Sequence, residues 1–133
     1  MIQTYVTAPY FQFYSYQNLG GGLLCHVPLA DMRMSKDNMK NKYQCPNDDA
    51  DSMKVCHARK GTRITVYDKD DMSENSGTHL DIIVKSDLGN SCATVSSFDN
   101  VGTTSDASFL YERRKQGNGK LNGKISSFKI SIP

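Results

Sequence analysis

Asn47-Asp48-Asp49-Ala50-Asp51-Ser52-Met53-Lys54-Val55 and Asn122-Gly123-Lys124-Ile125-Ser126-Ser127-Phe128-Lys129-Ile130 are two copies of one pattern. At a constant offset of 75 (47 to 122), Asn, Ser and Lys recur, and Met53/Phe128 and Val55/Ile130 are swaps within a class. Each copy reads as a polar loop running into a strand whose apolar residues alternate. A repeat of this kind, found before any local motif is interpreted, points to a duplicated supersecondary unit.

Upstream of each copy lies an aromatic hairpin. Phe13-Tyr14-Ser15-Tyr16-Gln17-Asn18-Leu19-Gly20-Gly21 precedes the first, and Val66-Tyr67-Asp68-Lys69-Asp70-Asp71-Met72-Ser73-Glu74 precedes the second. In both, an apolar residue and a tyrosine lead into polar residues, then an Asn or Asp, then a large apolar residue. Gly21 gives the first hairpin a residue that takes a positive φ without strain. The remaining runs are also strand-like: Tyr10 to Tyr14, Leu23 to Val27, Arg63 to Tyr67, Leu80 to Val84, Ala93 to Phe98, Ser108 to Tyr111 and Ile125 to Ile130. Gly- and Asn-rich punctuation separates them, as in a sandwich or barrel. Ala30 to Lys42, rich in Met, Lys and Asn, has no apolar stripe and reads as a loop with at most one helical turn.

The chain of 133 residues is long enough for one domain with a core and short for two. It has no run approaching the roughly 18 apolar residues of a membrane helix, so no membrane span is expected. Its first residues lack the basic start and apolar run of a secretory signal, which leaves a cytoplasmic protein or a cleaved leader. A net charge of +2 gives no footing for nucleic acid, and no ladder of aromatics interleaves with the basic stretch from Arg113 to Lys129. Four cysteines (Cys25, Cys45, Cys56, Cys92) permit three disulfide pairings, with buried thiols as the alternative. If bridged, they imply an oxidising compartment and a secreted protein.

Zinc is excluded by spacing. Cys25-His26 and Cys56-His57 are neighbours on strands and point to opposite faces, and CxxC is absent. An EF-hand is excluded because Met72 and Ser73 follow Asp68-Lys69-Asp70 where an oxygen ligand and glycine belong. His26, His57 and His79 are the only imidazoles, and no GxSxG, HExxH or phosphate loop occurs, so no enzyme is expected.

The hairpins and loops together resemble the βγ-crystallin family, whose Greek-key motif opens with Tyr-Glu-x-x-Asn-Phe-x-Gly and closes with (Asn/Asp)-(Asn/Asp)-x-x-(Ser/Thr)-Ser. Tyr14, Asn18, Leu19 and Gly21 stand at the opening positions, with Ser15 in place of Glu. Tyr67, Asp71 and Met72 do so in the second motif, with Asp68 for Glu and Glu74 for Gly. Asn47 to Ser52 departs from the closing pattern only at Asp51, and Asn122 to Ser127 only at Gly123. The resemblance covers about Tyr10 to Ile130. It implies an all-β, βγ-crystallin-like sandwich of two Greek-key motifs, one domain over 1–133 with motif one at about 8–57 and motif two at about 62–132. The span from Cys92 to Asn118 exceeds what such a domain needs and implies an extra hairpin or loop.

The resemblance further implies two Ca2+ sites shared between the motifs. The first would use Asp51, the carbonyl of Asp49 and Ser15; the second would use Ser126, the carbonyl of Lys124 and Asp68. Asn47, Asp48 and Asn122 would complete the crossing pairs. Calcium takes six to eight oxygens at about 2.3–2.6 Å. A carboxylate at Asp51 strengthens one site and the missing oxygen at Gly123 weakens the other, so unequal affinities are expected. The bland alternative is that these Asx and Ser residues close local turns without an ion. The expected function is a calcium-binding module with a structural or partner-recognition role. The alternative from another class is a secreted effector, a protease inhibitor or killer-toxin-like antimicrobial, with loops 30–42 and 102–108 as contact surfaces.

Overall fold

The computed structural model describes residues 8–29, 33–34, 44–45, 49–68, 77–99, 111–117 and 119–132; for residues 18, 33–34 and 111–116 this covers the backbone alone. Among the described residues nine strands run in chain order: β1 (Tyr10–Tyr14), β2 (Leu23–Pro28), β3 (Arg33–Met34), β4 (Ser52–Cys56), β5 (Arg63–Tyr67), β6 (His79–Val84), β7 (Cys92–Val95), β8 (Tyr111–Gln116) and β9 (Ser127–Ser131). They form a four-stranded sheet of order β2-β1-β4-β7 and a five-stranded sheet of order β3-β9-β5-β6-β8. Each described pairing is antiparallel.

The strand order is that of two Greek keys that exchange a strand. β1, β2 and β4 form one sheet while β3 crosses to pair with β9; β5, β6 and β9 form the other while β7 crosses to pair with β4. The expected all-β, βγ-crystallin-like sandwich is thus met by topology. The two halves also match in register: Phe13 faces Met53 and Tyr14 faces Ser52, as Val66 faces Phe128 and Tyr67 faces Ser127. Within the span after Cys92, where an extra hairpin or loop is expected, β8 is added to the edge of the second sheet beside β6.

Alternation sends one face of each sheet inward. Phe11, Phe13, Val27, Met53, Val55 and Val95 of the first sheet meet Ile64, Val66, Leu80, Ile82, Phe128 and Ile130 of the second, all buried. The aromatic members pack edge to face: Phe11 and Phe128 at 5.0 Å between ring centroids, Phe13 and Phe98 at 6.1 Å. Such pairs add about 0.5–1.5 kcal/mol beyond the area they bury.

The reading of Ala30 to Lys42 as a loop needs correction at Arg33–Met34, which form β3. Two residues give no alternation to detect, and the strand exists because β9 supplies its partner. The four cysteines form two disulfides, Cys25–Cys45 and Cys56–Cys92. The second joins residues directly opposite each other on β4 and β7. Among the described residues no helix is long and apolar enough to cross a membrane.

Candidate functional site

The closing loops meet at one end of the sandwich. Asp51 donates its backbone N–H to the carbonyl of Tyr14 at 2.9 Å, and Ser126 does the same to Tyr67 at 2.8 Å. These equivalent bonds tie each loop to the hairpin of its own motif. A crossing bond joins the loops, from Gly123 N–H to the Ala50 carbonyl at 2.8 Å.

Ser52 shows why the motif ends in serine. Its buried hydroxyl accepts from the N–H of Leu19 at 3.0 Å and donates to the carbonyl of Tyr16 at 2.6 Å, pinning the 3-10 turn Gln17–Leu19 over the strand. Ser15, an expected calcium ligand, closes the same hairpin: its hydroxyl accepts from Gly22 N–H at 3.0 Å. Gly21 has φ 69°, and a Cβ there would sit 2.1 Å from the Ser15 hydroxyl, so the glycine is required twice over.

In the second motif Asp68 stands at the foot of the hairpin. Its Oδ1 accepts from Thr78 N–H at 2.8 Å while its own N–H donates to the Thr78 carbonyl at 3.1 Å. Lys124 lies in the exposed turn, with its N–H on the Leu121 carbonyl at 2.9 Å. The Ser126 hydroxyl lies 3.4 Å from the Lys124 carbonyl oxygen, beyond the usual range for such a bond.

Asn122, also an expected ligand, braces the segment after β7. Its Oδ1 accepts from Phe98 N–H at 2.8 Å, its Nδ2 donates to the Ser97 hydroxyl at 2.8 Å, and its own N–H donates to Asp99 at 2.9 Å. Asp99 also accepts from Leu121 N–H at 2.8 Å. Sequence reasoning missed Ser97 and Asp99. The one local signal was Ser-x-Asp, whose serine hydroxyl accepts from Asp99 N–H at 3.2 Å, a common short turn.

Electrostatics single out Asp51. Burial pushes its carboxyl above the ordinary value, Asp99 and Asp49 push the same way, and a backbone hydrogen bond from Gly123 only partly offsets them. The charges of Asp99 and Asp49 thus reach Asp51 at the junction of the loops, with Asp49 exposed and Asp51 and Asp99 half-buried. Of the nine expected ligands, Asp49, Asp51 and Asn122 come to this junction. Lys124 and Ser126 sit together beside Tyr67 and Asp68, and Ser15 lies next to Tyr14. Asn47 and Asp48 lie outside the described residues. Among the described residues no three His, Cys, Asp or Glu side chains are grouped to hold a metal by themselves.

No protein-family model matches the sequence, and no curated protein matches it. Among solved structures the chain is similar to a βγ-crystallin domain from Clostridium beijerinckii, at 20% identity and a TM-score of 0.45, over 93% of this chain and 97% of that one. A single-residue variant of a βγ-crystallin domain from the same organism gives 20% identity and a TM-score of 0.46, over 91% of this chain and 95% of that one. Neither likeness carries an argument about function, and the fold rests on its own strand order.

Proposed function

We propose that the chain is a calcium-binding βγ-crystallin-like module in which Ca2+ at the junction of the closing loops ties the two motifs together. The observation that carries this reading is the meeting of the two closing loops, where the Gly123 N–H binds the Ala50 carbonyl and the charges of Asp99 and Asp49 act on the half-buried Asp51. Like charges held at close quarters are costly, and a divalent cation relieves them. Asp51, Asp49 and neighbouring carbonyls would hold the ion at the first site. Ser126, the Lys124 carbonyl and Asp68 would hold it at the second.

The donor set suits a hard cation that accepts carbonyl and hydroxyl oxygens. Two oxygens each about 2.4 Å from an ion and at right angles lie about 3.4 Å apart. That is the separation of the Ser126 hydroxyl from the Lys124 carbonyl. Calcium bound only to the folded state would stabilise it by about 2.7 kcal/mol at a hundredfold excess over the dissociation constant.

The test is calorimetric titration of metal-stripped protein with Ca2+, paired with thermal denaturation. Heat of binding with a raised melting temperature is the expected outcome. An unchanged melting temperature in excess calcium sinks the reading.

The two disulfides favour an oxidising compartment, and hence secretion. They also keep the secreted-effector reading in play. Its proposed contact loops, 30–42 and 102–108, fall almost entirely outside the described residues. Protease-inhibition and growth-inhibition assays with the folded, oxidised protein test it, and activity that survives calcium removal would favour it over the calcium module.

A further inference from the structure

The outer face of the four-stranded sheet carries a cross-strand row of polar side chains. His26, Gln12, Lys54 and Thr94 stand directly opposite one another across β2, β1, β4 and β7. At the usual strand spacing the row is about 14 Å long. Their neighbours along the strands (Phe11, Phe13, Cys25, Val27, Met53, Val55, Ala93 and Val95) are buried in the core, so the row itself faces outward. Tyr10 and Tyr14 flank it on β1.

Hydrogen bonds fix the proton positions along this face. The Tyr14 hydroxyl donates to Gln12 Oε1 at 3.0 Å, and Gln12 Nε2 donates to His26 Nδ1 at 3.1 Å. A neutral His26 therefore carries its proton on Nε2. His57 Nδ1 lies 2.7 Å from the Gly89 carbonyl, which can only accept, so a neutral His57 keeps its lone pair on Nε2. The two imidazoles are opposite tautomers on either side of Tyr10, with ring centroids 4.5 Å and 5.7 Å from its own. Between them the face offers a donor, an acceptor and the Lys54 ammonium, which pairs with no carboxylate among the described residues. None of the outward-facing described residues of this sheet is acidic.

We infer that this face binds an acidic glycan, a sugar chain bearing carboxylate or sulfate groups. A sugar hydroxyl both donates and accepts, matching the paired tautomers, and its acidic group complements Lys54. A protein partner fits less well. Among the described residues the exposed large apolar side chains, Tyr16 and Leu23, lie at the hairpin end, away from the row, and a stable protein interface needs an apolar centre. Single-stranded nucleic acid wants open aromatic faces, but His26 already lies over the ring of Tyr10.

The inference is independent of calcium and is tested in calcium-free buffer. The probes are a chondroitin sulfate hexasaccharide, neutral maltohexaose and a single-stranded oligouridylate, with binding followed by fluorescence polarisation. The acidic sugar should bind, and Lys54→Gln and His26→Phe should each weaken it about tenfold. Lys120→Gln, in an exposed segment outside the sheet, should change affinity by less than about twofold. Unaltered melting curves of the variants exclude a folding defect. No binding, equal binding of maltohexaose, tighter binding of oligouridylate, or an equal loss with Lys120→Gln would each overturn the inference.

Discussion

The backbone N–H of Gly123 donates to the carbonyl of Ala50 at 2.8 Å, so the two motifs are hydrogen-bonded at the point where their patterns diverge. Gly123 has φ 73°, a left-handed conformation that costs most side chains free energy. Glycine therefore replaces the motif's Asn or Asp to set a backbone direction as well as to remove an oxygen.

On the calcium reading, the two sites should differ in affinity. Asp51→Ala removes the one carboxylate at its loop's fifth position and should weaken the tighter site by about tenfold or more. Ser126→Ala should affect only the weaker site, by less. Calorimetric titration of both variants settles this, and equal losses would contradict inequality.

Asp51 should weigh against folding in the calcium-free protein at neutral pH. Its folded pKa is raised above 3.8, so its favourable contribution is fully present below that value and is lost as pH rises through the folded pKa. Asp51→Asn keeps an acceptor for Gly123 and removes the charge. We expect it to stabilise the apo protein at pH 7 by less than about 1 kcal/mol, the scale of a solvent-screened interaction. The gain should vanish below pH 3.8 in urea titrations, and a gain that persists there would exclude the charge as its cause.

Asp81 behaves oppositely. Burial acts to raise its pKa, but hydrogen bonds from Arg63 and Thr65, with the charges of Arg63 and His79, outweigh it and hold it below 3.8. Its stabilisation is fully present above 3.8 and is lost as pH falls through the folded value. Asp81→Asn should cost about 1–3 kcal/mol at neutral pH, with a deficit that shrinks on acidification. A pH-independent deficit would assign the loss to packing.

The brace between the segment after β7 and the second loop should be costly to break. Asn122→Ala removes the side-chain acceptor that the N–H of Phe98, a fully buried residue, uses and should destabilise by about 1–3 kcal/mol. Asp99→Ala frees the N–H groups of Leu121 and Asn122 and should cost a similar amount. Because the two share one network, the double variant should cost less than the sum. Chemical denaturation of the three variants checks this, and strict additivity would show the two residues act separately.

The strands from Tyr10 to Tyr14 and from Arg63 to Tyr67 were legible because alternation and β-branching are local signals. The duplication was legible because loop and strand repeat together. β3 was not, since two residues carry no period and take their conformation from β9. The Cys56–Cys92 pairing depended on the register of β4 against β7, which no spacing encodes. Asn122 was legible as a loop residue, but its grip on Phe98 and Ser97 arises only when the chain returns from 24 residues away. Asp99 drew no notice for the same reason.

Because β3 and β7 are exchanged, neither motif is a separable folding unit. A protease cut in the turn at Arg59 to Thr62 would leave each fragment with a sheet whose edge strand belongs to the other. Cys56 and Cys92 lie on opposite sides of that cut, so the pieces would stay covalently joined. On a denaturing gel the nicked chain should run as one band until a reductant is added, and two bands without reductant would place the bridge elsewhere.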